Sequence, residues 1–149
     1  MPKFFLRGLM FFPIVLVAQV SFGDQTMKSI DDFLANELAI SSSGNNPAHL
    51  QFIGLRCGAL FSILTRYGYD NKMKEQGDSF AKAQKVALSL AMEASVPFNR
   101  AFFVGQLEIM VAAYIERWKR AKALTGSFSD DVVISSDLDT CTKVFGATR

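Results

Sequence analysis

The stretch Ser79-Phe80-Ala81-Lys82 matches the Ser-x-x-Lys pattern of penicillin-recognising serine enzymes. In that pattern one helical turn brings a lysine amine next to the serine hydroxyl that it activates. The companion Ser-Asp-Asn and Lys-Thr-Gly elements are missing, and Ser136-Asp137-Leu138 departs at its third residue. Ser79 is therefore expected to cap a helix and Lys82 to be a solvated charge.

Other chemistries fare no better. His49 is the single histidine, and a catalytic triad or a metal site needs partners that the chain scarcely supplies. It is expected at the surface or at the cap of a helix first turn. Asp137-x-Asp139 matches the start of a calcium loop, but that loop needs Gly at its sixth place and Glu at its twelfth. Thr142 and Thr148 stand there instead, so these acids are read as favourable charge at a helix N-terminus. Glu108 and Glu116 are of the type used for proton transfer, yet on a helix they lie two turns apart, about 12 Å in rise. No catalytic residue, cofactor or metal is expected.

Arg117, Lys119, Arg120 and Lys122 form a basic run around Trp118. An aromatic among cations can stack on bases, but Trp118 also continues an apolar stripe through Val111 and Tyr114. The expectation is a core anchor with a solvated basic rim, and that rim is the candidate interaction surface.

The elements that must carry these residues read as helices. Met27, Ile30, Phe33, Leu34 and Leu38 recur at steps of three and four, giving a first helix one apolar face. Ser41 to Asn45 is a polar turn. Asn46 followed by Pro47 starts a second helix, with Asn as cap and Pro at its first position. That helix carries Leu50, Ile53, Cys57, Leu60, Phe61, Leu64 and Tyr67. Gly54 and Gly58 lie one turn apart, where another helix can approach closely. Arg56 and Arg66 interrupt the segment and favour a soluble core helix over a membrane span. Gly68 to Gly77 reads as a turn with a ragged helical piece. Asp78 or Ser79 then caps a third helix bearing Phe80, Ala83, Val86, Ala87, Leu90 and Ala94. Pro97 separates it from a fourth, from about Phe98 to Leu124, with Gly126 as its stop. Ile134, Leu138, Cys141 and Phe145 make a short fifth helix capped by Ser135 or Ser136. Val132-Val133-Ile134 is strand-like but has nothing to pair with. The fold class is an all-α bundle of about five helices.

The first 23 residues read as an export signal. Lys3 and Arg7 precede an apolar run from Leu9 to Val20, and Ser21-Phe22-Gly23 closes it before Asp24. The run is too short for an ordinary membrane span. Cleavage is expected near Gly23–Asp24, with a cut after Ala18 as the alternative and an uncleaved anchor as the competing reading. Residues 24–149 then form one domain, periplasmic or secreted. The chain holds 16 Lys+Arg and 14 Asp+Glu. Because Lys3 and Arg7 belong to the signal, residues 24–149 are electrically balanced, and no nucleic-acid partner is expected. In an oxidising compartment the two cysteines, Cys57 and Cys141, are expected to form a disulfide. Closing so long a loop stabilises by about 4–5 kcal/mol in the chain-entropy model.

In its signal, helices and single bridge the chain is similar in layout to two groups of small helical periplasmic proteins. These are the immunity proteins against toxins of type VI secretion and the acid-stress chaperones. It carries the diagnostic motif of neither, so no site residues transfer. The export signal and the lack of a supported nucleophile lead to the expectation of an exported, non-enzymatic binding protein of the bacterial envelope whose partner is another protein. The resemblance adds the toxin-immunity or chaperone type. The alternatives are a small periplasmic hydrolase acting on an envelope substrate and a helical subunit of an envelope complex.

Overall fold

Apolar residues at helical spacing, separated by Asn, Pro and Gly, produce a bundle built on one central helix. The computed structural model describes residues 27–40 and 46–147, and of residues 36–40 the backbone alone. The expected signal at residues 1–23, the expected turn from Ser41 to Asn45 and Thr148 lie outside the described residues. The elements are α1 (Ile30–Ile40), α2 (Pro47–Asp70), α3 (Lys74–Glu93), α4 (Arg100–Thr125) and α5 (Val132–Phe145), with a 3-10 turn at Phe128–Asp130. The described residues contain no strand.

Several boundaries follow from short-range chemistry. The Asn46 side chain accepts from the Ala48 N–H at 3.0 Å, with Pro47 at the first helical position. Asn99 caps α4 by accepting from Phe102 N–H at 3.0 Å. Gly126 ends that helix in the left-handed region at φ 83°, where a side chain would be strained.

Two expected boundaries are corrected. α3 begins at Lys74, so Asp78 and Ser79 lie inside it and cap nothing at its start. The turn before it is only three residues long, because α2 runs on to Asp70. α5 begins at Val132, and Asp131 caps it by accepting from Ile134 N–H at 3.0 Å. Ser135 and Ser136 are therefore helical residues, and the strand-like Val132-Val133-Ile134 is the first turn of α5. Asp131 wins because its carboxylate reaches the free N–H groups one turn earlier.

α2 packs against α3, α4 and α5. It is long and apolar enough to cross a membrane by composition, but here it is the core helix, with Cys57, Ala59, Leu60 and Phe61 fully buried. Gly54 and Gly58 do admit another helix. A Cβ on Gly54 would lie 2.6 Å from the Ala87 carbonyl oxygen, and one on Gly58 would run into the Leu88 side chain. α1 lies over the start of α2, where Phe33 stacks on Phe52 at 4.1 Å between ring centroids. The Cys57–Cys141 disulfide is present, with Cα atoms 5.4 Å apart, and it joins α2 to α5 inside the core.

Candidate functional site

The strongest polar cluster is buried and was not legible in the pattern of residues. Arg56 of α2 is only 5% exposed and Asp137 of α5 is fully buried. Arg56 donates to Asp137 Oδ2 through Nε at 2.9 Å and Nη2 at 2.7 Å. Tyr114 of α4 donates its hydroxyl to the same carboxylate oxygen and accepts from Arg56 Nε at 3.1 Å. Asp137 Oδ1 accepts from Ile30 N–H at 2.7 Å, and Arg56 Nη2 donates to the Lys28 carbonyl. The cluster thus ties α2, α4 and α5 to the backbone just before α1. The guanidinium also lies 5.6 Å from the Phe52 ring centre and 5.7 Å from that of Tyr114, a favourable placement for a cation.

Burial decides the electrostatics here. It pushes the Asp137 carboxyl above its ordinary range, against the opposing pull of Arg56, Tyr114 and the Ile30 N–H. Burial also pushes the Tyr114 hydroxyl well up, with Asp137 adding to the rise, so it stays a proton donor. Burial works against the Arg56 charge, yet Tyr114 and Asp137 hold its pKa above the usual value. With both oxygens of the carboxylate accepting hydrogen bonds inside the fold, the cluster fastens the helices together.

This corrects the reading of Asp137 as first-turn charge, since it lies in the second turn and faces inward. Asp139 points the other way and pairs with Lys143 on the surface. His49 is also corrected: it is 7% exposed and meets Phe33 edge-on at 6.2 Å, so it belongs to the α1–α2 contact.

Ser79 and Lys82 do share a surface cleft of about 440 Å³, which Glu75, Asp78, Val86 and Phe145 also line. Asp78 there accepts from Tyr69 Oη and pairs with Lys74 Nζ, both at 2.7 Å. Those two bonds hold the Asp78 carboxyl below its ordinary range. Lys82 lies close enough to add to that effect. The arrangement is an open, ion-paired surface, whereas a serine nucleophile needs a desolvated base and donors for an oxyanion.

The basic run of α4 divides. Arg117 donates to Asp131 Oδ1 at 3.0 Å with both side chains largely covered, so it braces the α5 cap and leaves the candidate surface. Lys119, Arg120 and Lys122 are exposed, and Lys119 pairs with Glu116 at 3.0 Å. Trp118 is half-buried and stacks on Phe128 at 3.8 Å. Glu108 and Glu116 are both exposed. Beyond the basic run, Leu124 is 77% exposed, and toward the other end Phe98, Phe102 and Ile109 are 47%, 59% and 50% exposed. Among the described residues no group of three or more His, Cys, Asp or Glu side chains could hold a metal ion.

No family model matches the chain, and neither a curated protein nor a solved structure matches it.

Proposed function

We propose that this is an exported, non-enzymatic binding protein of the bacterial envelope, acting on another protein through the exposed C-terminal half of α4. One observation carries the reading. Lys119, Arg120 and Lys122 stand at the surface in the last turns of α4, and Arg120 lies one turn before a Leu124 that is 77% exposed. Three exposed cations at one helix end, with an exposed apolar side chain at its tip, suit a partner surface that offers carboxylates beside an apolar socket. The balanced charge of residues 24–149 makes this a local attraction and not a property of the whole molecule. Such a role accords with the layout shared with small periplasmic immunity proteins and chaperones.

The test is affinity capture from periplasmic extract with tagged wild type and with Lys119→Glu/Lys122→Glu. A partner held by wild type and lost by the variant supports the reading. Equal capture by both excludes this face.

A second reading rests on the cleft that joins Ser79 and Lys82: a small hydrolase acting on an envelope substrate. Turnover of a peptidoglycan or ester substrate by wild type, abolished in a folded Ser79→Ala variant, would favour it over the binding protein.

A further inference from the structure

We infer that the N-terminal half of α4 is a self-association surface, on which a second copy packs its own α4 antiparallel about a two-fold axis level with Leu107. The starting point is Gly105. A mid-helix glycine is less favourable than alanine, and the other helical glycines have a reason inside the fold: Gly54, Gly58, Gly68 and Gly77 would each collide with a neighbour if given a Cβ. Gly105 would meet nothing within 4 Å among the described residues. Its missing side chain therefore serves no described contact within its own chain, and it leaves a notch on an outer helix face.

Large side chains flank that notch at regular steps. Phe102, Gly105, Ile109 and Ala112 follow one another by three, four and three, the spacing of a seam between two helices. The core face of α4, through Phe103, Tyr114 and Ala121, lies on the other side. α4 thus carries apolar residues on a second face, where Phe102 and Ile109 are 59% and 50% exposed, with Phe102 at the edge of a cleft that the start of α2 also lines.

The seam is complementary to itself. With antiparallel helices centred level with Leu107, Ile109 of each copy sits over Gly105 of the other, and Phe102 over Ala112. The two large residues, Phe102 and Ile109, each meet a small one, and the two-fold axis repeats each match, as an interface between identical chains requires. The seam and its exposed neighbours offer on the order of 500 Å² per copy, so a pair buries about 1,000 Å², the lower edge of a specific interface. An interface this small makes a reversible dimer. The balance of charge in residues 24–149 sets no net repulsion between copies. Glu108, exposed on one flank of the seam, faces its own counterpart near the axis and weakens the pair. In a parallel arrangement it would not. This surface is distinct from the Lys119–Leu124 end, which projects beyond the overlap.

Sedimentation of the exported, disulfide-intact protein up to about 1 mM tests the inference. A monomer–dimer equilibrium is expected, abolished by Phe102→Asp and tightened several-fold by Glu108→Gln. Gly105→Ala separates packing from fold: it should raise Tm at low concentration, where the chain is monomeric, yet weaken the dimer by tenfold or more. A monomer at the highest concentration overturns the inference, as does a dimer indifferent to Phe102→Asp and Gly105→Ala. Binding of wild type to anionic phosphatidylglycerol vesicles, lost in Phe102→Asp while the protein stays monomeric, assigns the face to lipid and also overturns it. A monomer that still loses its envelope partner on Lys119→Glu/Lys122→Glu removes this inference alone. A dimer whose captured partners are unchanged by that variant removes the proposed function alone.

Discussion

Arg56 and Asp137, 81 residues apart in the chain, form a buried ion pair at 2.7 Å that fastens α2 to α5. One turn along α5, Cys141 makes the covalent link to Cys57, the residue after Arg56. The same two helices are thus joined by a charge pair and a disulfide side by side. The charge pair also receives the chain at Lys28 and Ile30, so the point where α1 begins is held by the core.

Breaking the pair from one side leaves an uncompensated buried charge. Asp137→Ala is expected to destabilise by about 3–5 kcal/mol. Arg56→Met/Asp137→Leu should cost much less than the sum of the two single changes. Urea denaturation of the four proteins of the cycle checks this, and additive losses would show that the two groups act independently.

The pH dependence follows from the raised carboxyl of Asp137. The native state takes up this proton before the unfolded chain does. Its stabilising contribution is full below the ordinary value of 3.8, and it is lost as pH rises through the higher folded value. The stability of wild type relative to Asp137→Asn should therefore improve as pH falls from neutral toward about 4. A relative loss on acidification would instead mean that Arg56 holds the carboxylate more strongly than burial opposes it.

Reduction of the disulfide should require unfolding, because Cys57 and Cys141 are both fully buried. Native protein should show no alkylatable thiol, and non-reducing mass spectrometry should find the Cys57 and Cys141 peptides linked. Cys57→Ala/Cys141→Ala is expected to lose about 2–4 kcal/mol in stability.

The basic run should separate by role. Arg117→Ala removes the brace on the α5 cap and is expected to lower stability by about 1 kcal/mol. Lys122→Ala should lie within about 0.5 kcal/mol of wild type. Thermal unfolding of both variants decides, and equal effects would place Arg117 back on the surface with its neighbours.

Much of the helical framework is local chemistry and could be read from the chain. Asn46-Pro47 and Gly126 mark helix ends because a cap and a left-handed residue act within four residues of their own position. The stripe from Leu50 to Tyr67 declares a core helix for the same reason, since each apolar position depends on its neighbours one turn away. Two cysteines allow a single pairing, so the choice of partners for the bridge needed no coordinates. Where three capping residues competed, Asp131 against Ser135 and Ser136, local pattern was insufficient and the boundary fell at Asp131.

The polar core was beyond such reading. Arg56 looked like an interruption of an apolar stripe, Asp137 like charge at a helix start, and Tyr114 like one more core aromatic. Each has an ordinary surface or packing role until the bundle brings three helices together and removes the water between them. Likewise Gly105 resembles any small helical residue until the structure shows that nothing in the described fold approaches it. Periodicity along one helix determined which faces turn inward. Which polar groups met there, and which apolar face was left outside, was decided only by the packing of distant segments, because neither burial nor exposure is a property of a residue's own neighbours in sequence.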